Sequence, residues 1–404
     1  MATPSTPCRY LRKLVISIVG PLLAALVSLS TPAWPNGIVI GLDADMSGGA
    51  ASGGEAIRRG ILLAIDEINA RGGVLGRPLE LEVRDHRGNP ARGVDNIAAF
   101  ARTPDLVAVI GGVHTPVALA ELDLLHQEEI LFLVPWAAGT PIVANGFRPN
   151  FVFRVSVRDE FAGGFLIDQV LARGFSRPGL LLERTGWGRS NDKAMQTALQ
   201  QRDQPAAPVA WFNWGARTLK PQLDALAASG ADVVLLVSNP REGAVAVRDM
   251  AGLADDARLP IVSHWGITGG DFASSVRDDV ARIDLTFLQT FSFFRPPFPE
   301  RAERVLAAYC ARFVPCTGPA DVISPVGTAH AYDLTHLLAR AIARAGSIDR
   351  RRVRTAMERL DRYEGLVRVY DPPFAPDRHD ALTRSDFQLS RFGTDGAILP
   401  LDGS

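Results

Sequence analysis

Residues 47–76 read SGGAASGGEAIRRGILLAIDEINARGGVLG. Within them Ile57, Ile61, Ala64, Ile65 and Ile68 recur at the i, i+4, i+7 and i+8 spacing of one helical face. An apolar run, IVIGL at 38–42, precedes the stretch, and LELEVRD at 79–85 follows it. Strand, Gly-rich loop, helix and strand make up the repeating unit of a parallel sheet, since two parallel strands need a crossover between them. Working outward, apolar runs recur at 107–112, 131–136, 178–183, 208–214, 231–238, 260–265 and 285–291. Helical patterns fall at 116–128, 159–173, 218–229, 241–252, 325–345 and 349–361. The expectation is an α/β protein with two doubly wound parallel-sheet lobes.

The chain has 404 residues, 43 basic against 44 acidic, and is 47% hydrophobic. That length suits two lobes with real cores. The balanced charge argues against a nucleic-acid partner, and a mean hydropathy of +0.08 against a multi-span membrane protein. Arg9, Arg12 and Lys13 precede an apolar stretch from Leu14 to Leu29, and Thr31-Pro32-Ala33 offers small residues for a cut before Trp34. Residues 1–33 therefore read as a signal peptide for export to the periplasm. Its removal takes three positive charges and leaves a formal charge of −4. Cys310 and Cys316 remain, either as a disulfide closing a short loop or as two free thiols.

Three passages between lobes are expected: near 150–158, at the Pro-rich 288–299, and at 362–373. The lobes then comprise 34–152 plus 292–362, and 153–291 plus 363–404. In such sheets ligands sit at the carboxyl ends of strands. Those ends carry Asp43, Asp45 and Ser47 on the first Gly-rich loop, and His114-Thr115 and Trp136-Ala137-Ala138 after later runs. In the second series they carry Trp187, Ser238-Asn239 and His264-Trp265. The first loop could cradle an anion at a helix N-terminus or be a solvated turn. Trp136, Trp187 and Trp265, drawn from both halves, are candidate ligand walls, and each alone could equally be core.

The stretch 47–76, the following LELEVRDHRGNPARGVDNIAAF, and AVIGGVHTPVALAELDLLHQEEILFLVPWAAGTP together resemble the periplasmic leucine/isoleucine/valine-binding proteins of ABC transporters. HAYDLTHLLARAIARAG and YEGLVRVYDP extend the resemblance over nearly the whole chain after the signal. It implies a type I periplasmic binding fold: two lobes joined by three hinge crossings, closing on a small ligand. It places the hydroxyl that holds a ligand carboxylate at Thr115, further contacts at Trp136 and Ala138, an aromatic at Trp187, and another contact at Asn239 or Ser238. Two positions depart from the pattern. A pocket tyrosine aligns with Gly53, and the acid that pairs with the ligand ammonium aligns with Trp265, beside His264. Ser47, Gly53, His114, Thr115, Trp136, Ala138, Trp187, Asn239 and Trp265 are thus the expected ligand contacts. Asp43 and Asp45 are the possible charge partners.

The resemblance implies a monomer that delivers a small molecule to an inner-membrane ABC permease, with no cofactor. The missing acid points away from simple branched-chain amino acids, toward an aromatic or apolar carboxylate or an amine. A receptor that passes closure to a signalling system is the alternative. An exported hydrolase is less well supported, because the chain lacks G-x-S-x-G, H-E-x-x-H, a P-loop and any metal-ligand spacing. The basic run Arg350–Arg352 with Arg354 could meet a permease or be a solvated helix face capped by Asp349.

Overall fold

A computed structural model describes residues 36–401; the expected signal segment lies outside them. Two sheets organise the chain. The first half runs β1 Ile38–Ala44, α1 Ala51–Asn69, β2 Leu79–Asp85, α2 Pro90–Phe100, β3 Leu106–Gly111, α3 Thr115–Gln127, β4 Leu131–Val134, α4 Thr140–Val143 and β5 Val152–Arg154. Its five strands are all parallel, in the order β2-β1-β3-β4-β5. The second runs α5 Asp159–Ala172, β6 Pro178–Glu183, α6 Gly186–Gln200, β7 Val209–Phe212, α7 Lys220–Ala228, β8 Val233–Val237, α8 Pro240–Ala251, β9 Ile261–Ser263, α9 Phe272–Ser275, α10 Arg277–Val280 and β10 Leu285–Gln289. There follow α11 Pro299–Arg312, α12 Pro325–Ala345, α13 Arg350–Met357, the hairpin β11 Tyr363–Glu364 with β12 Val369–Tyr370, and β13 Gln388–Phe392 with β14 Ile398–Pro400. The second sheet is seven-stranded, β14-β13-β10-β9-β8-β6-β7, antiparallel only where β13 and β14 join.

Strands buried on both faces read as unbroken apolar runs, which is why the parallel core was expected where it is found. Along β1 the alternation sorts partners. Ile38, Ile40, Leu42 and Ala44 join the core that includes α1 and α12, while Asp43 on the opposite face meets Asn96 of α2. Helix α12 lies along α1 so closely that a Cβ on Gly60 would stand 2.2 Å from the Thr328 carbonyl oxygen. The disulfide Cys310–Cys316 ties the end of α11 to the segment after it.

The chain passes from the first sheet to the second after β5, returns after β10, and crosses a last time later than the expected 362–373. β5 runs across the expected boundary at 152/153 and pairs with β4, so the first passage follows it. The hairpin stays with the first sheet, because Asp333 of α12 accepts from the N–H groups of Leu366 and Val367 and from Tyr370 Oη. Residues 379–381 then lie along β5. The Arg154 N–H donates to the His379 carbonyl, the Ala381 N–H to that of Arg154, and Arg154 Nε to Asp380 Oδ1 at 2.5 Å. The last passage to the second sheet therefore comes after residue 381. The basic run is a staple: Arg350 donates to the carbonyls of Leu106 and Glu128, Arg354 to that of Asn150, and Asp349 caps the helix through the Arg352 N–H.

Candidate functional site

The loops that follow β3, β4, β6, β8 and β9 meet around one small cavity. Of the expected contacts, His114, Thr115, Trp136, Ala138, Trp187, Asn239 and Trp265 line it. Its volume is about 10 Å³, room for roughly one water. The walls touch: the Trp136 and Trp265 rings lie 5.5 Å apart, and Trp265 also meets His330 of α12 at 5.7 Å. Trp187 packs edge-on to His264 at 5.0 Å. Gly266 permits this closeness, since a Cβ there would come within 2.4 Å of the Trp187 ring.

On the first-sheet side Thr115 and Ala138 offer donors. Helix α3 starts at Thr115 with no side-chain cap. Thr115 Oγ1 accepts from the Gly139 N–H at 3.2 Å, which leaves its own proton free. Arg154, fully buried, donates to the Gly139 carbonyl at 2.9 Å and so fixes that loop. Among the described residues no acceptor takes the N–H of Thr115 or Ala138. A free hydroxyl proton, two free N–H groups and a helix N-terminus suit a carboxylate.

On the second-sheet side Asn239, N-cap of α8, donates Nδ2 to Glu183 Oε2 at 2.8 Å. Glu183 ends β6 and also accepts from Thr185 Oγ1 at 2.6 Å and from Trp214 Nε1 at 3.0 Å. Burial pushes its carboxyl up, against the pull of those hydrogen bonds. The Trp214 ring reaches across to His114 at 5.5 Å. Asp159, at the start of α5, has no exposed surface; its Oδ1 accepts from Trp187 Nε1 at 3.1 Å and lies 3.3 Å from His264 Nε2. His264 Nδ1 accepts from the Trp265 N–H, so its Nε2 carries the proton.

Four expectations need correction or relocation. Asp43 does not face the cavity: it bonds Asn96 at 2.7 Å, and burial pushes its carboxyl up to about 6, against the hydrogen bonds with Glu121 and Asn96 that lower it. Asp45 is occupied by the N–H groups of Gly48 and Ala50 and by His114 Nε2 at 3.2 Å. Burial would raise its carboxyl, but those bonds outweigh it and hold it down to about 2. Gly53 lies outside the cavity, with the Gly269 backbone closing on it. Ser47 bonds Asp85 at the exposed rim. Neither aspartate is thus free for a ligand ammonium. Sequence reasoning missed Asp159, Glu183 and Trp214. The two acids carried one signal, a carboxylate at the mouth of an apolar strand or at a helix start facing the same end of the sheet.

The sequence profile of a family described as periplasmic binding protein matches residues 37–395. The chain is 26% identical over 325 residues to the Leu/Ile/Val-binding protein BraC3 of Rhizobium johnstonii, covering 80% of this chain and 83% of that one. Among solved structures it resembles a type 1 periplasmic binding protein from Bordetella pertussis Tohama I, with a TM-score of 0.81 at 22% identity over 90% of this chain and 100% of the other. It also resembles a solute-binding protein of an ABC transporter from R. palustris in complex with benzoate, with a TM-score of 0.73 at 18% identity over 90% of this chain and 95% of the other.

Proposed function

The chain belongs to the periplasmic binding protein family, of the Leu/Ile/Val-binding type, and from that premise we propose that it carries a small aromatic carboxylate in the periplasm and presents it to an ABC permease. The lobes part to admit the ligand and close over it, with Thr115, Ala138 and the α3 N-terminus holding the carboxylate. The ring goes between the indoles of Trp136 and Trp265, which now rest on each other. No bond is made or broken, and ligand-stabilised closure is the output.

One observation carries the reading: among the described residues three indoles line the cavity and no carboxylate does. An ammonium left there without an anion loses several kcal/mol to desolvation, whereas a flat ring stacked on indoles gains about 0.5–1.5 kcal/mol per aromatic pair beyond its buried area. The benzoate held by the R. palustris protein is a ligand of that chemistry. Calorimetry with benzoate and leucine, alongside intrinsic tryptophan emission, tests it. Benzoate should bind, shift the emission and raise the melting temperature; submicromolar leucine binding would sink the proposal.

A further inference from the structure

We infer that Glu183 and Asn239 make the second-sheet wall of the cavity selective for a ligand with a hydroxyl on the end of its ring opposite the carboxylate. This rests on the cleft-binding reading above and goes beyond it to a specificity-determining residue and the group that positions it.

Glu183 sets the orientation of Asn239. A carboxylate accepts and does not donate, and this one gathers the Thr185 hydroxyl, the Trp214 indole N–H and the Asn239 amide N–H. The indole N–H can only donate, so Oε2 acts as an acceptor for it and for Asn239 alike. Turning the Asn239 amide over would set its oxygen against Oε2 at 2.8 Å, oxygen facing oxygen. Glu183 therefore fixes which end of the amide is which. Nδ2 points to the carboxylate, and Oδ1 is left as an acceptor. Asn239 lines the cavity, and its Oδ1 meets no donor among the described residues.

The two walls are thus complementary in sign. Thr115 and Ala138 offer donors, and Asn239 offers an acceptor. A ligand matching both carries an anion at one end and a hydrogen-bond donor at the other. The donor is a neutral hydroxyl rather than an ammonium. Glu183 has its oxygens taken, and neither it nor Asp159 lines the cavity, so no carboxylate oxygen stands there to contact an ammonium. A bare ring would leave Oδ1 unpartnered once water is expelled, which is how sites reject ligands lacking one hydroxyl.

The test measures the affinity of the whole chain for benzoate and 4-hydroxybenzoate by calorimetry, in wild type, Asn239→Leu, Glu183→Leu and Glu183→Gln. Wild type should prefer 4-hydroxybenzoate by about tenfold or more. Asn239→Leu should lose far more on 4-hydroxybenzoate than on benzoate and bring the ratio near one. Glu183→Leu should lower the ratio as well, because the Asn239 amide is then free to turn over, whereas Glu183→Gln should keep it, since the Trp214 N–H holds the Gln oxygen at that position. A merely structural role would weaken both ligands alike and keep the ratio. Should Asn239→Leu fail to fold, Asn239→Ala serves instead. A ratio unmoved by Asn239→Leu or by Glu183→Leu, or no preference in wild type, overturns the inference and leaves the cleft reading standing. Absence of binding by both ligands overturns both.

Discussion

His330 has neighbours that fix which of its nitrogens holds the proton. Its Nδ1 faces the Pro135 carbonyl at 2.8 Å, which can only accept, so Nε2 is left to accept from the Thr290 hydroxyl at 2.9 Å. Burial holds the ring down to about 4, against the Pro135 bond that would raise it. The folded chain thus binds this proton less readily than the unfolded one. Its stabilising share is complete above about pH 6.5 and is lost as pH falls toward 4. Comparing urea midpoints of wild type and His330→Gln at pH 7.5 and 4.5 isolates the effect. Wild type should lose roughly 2.5 kcal/mol more than the variant over that interval. An equal loss in both would show that His330 does not titrate in this way. His86, held down to about 3 by burial and by the neighbouring His114, acts in the same direction. Asp43, held up, acts in the opposite one. The difference between the two chains is therefore the informative quantity.

Among the elements, α1 and α12 pack closely enough for a single methyl group to test their seam. Gly60→Ala places a methyl group 2.2 Å from a backbone oxygen that cannot step aside without moving α12. The substitution raises intrinsic helix propensity by about 1 kcal/mol, yet the overlap should outweigh it and destabilise the fold by about 1–3 kcal/mol. A thermal melt decides the sign. A rise in melting temperature would mean that the seam yields. Legibility at this scale followed burial. Strands covered on both faces were readable as apolar runs, and α1 and α12 as periodic stripes. β5, β13 and β14, of 3–5 residues each, were not expected as strands, because their pairing is decided by distant chain. Helix α6 was also hidden. Its sequence opens Gly-Trp-Gly-Arg-Ser-Asn, poor helix formers apart from Arg189, and it begins where Thr185 accepts from the N–H groups of Trp187 and Gly188.

At the scale of the whole molecule, the cavity's aromatic lining was readable because strand ends converge whatever the side chains do. Its acids were not, because orientation decided them. Asp43 and Asp45 sit at the same mouth, yet one turns to α2 and the other binds its own loop. Asp159 opened an expected helix just past a connecting segment, and only the fold brings it beneath Trp187.

The terminal segment has a consequence of a different kind. Residues 379–381 lie against the outer side of β5, and β13 against the outer side of β10. One run of about a dozen residues thus covers the last strand of one sheet and closes the parallel core of the other. A chain ending at Tyr370 keeps every parallel strand and nearly all of the cavity, but bares two rows of unpaired backbone groups, the ordinary template for strand addition between molecules. Such a truncation should be aggregation-prone rather than merely loose, its light scattering rising with concentration at temperatures where the full chain stays clear. A monodisperse truncated monomer would show that those edges protect themselves.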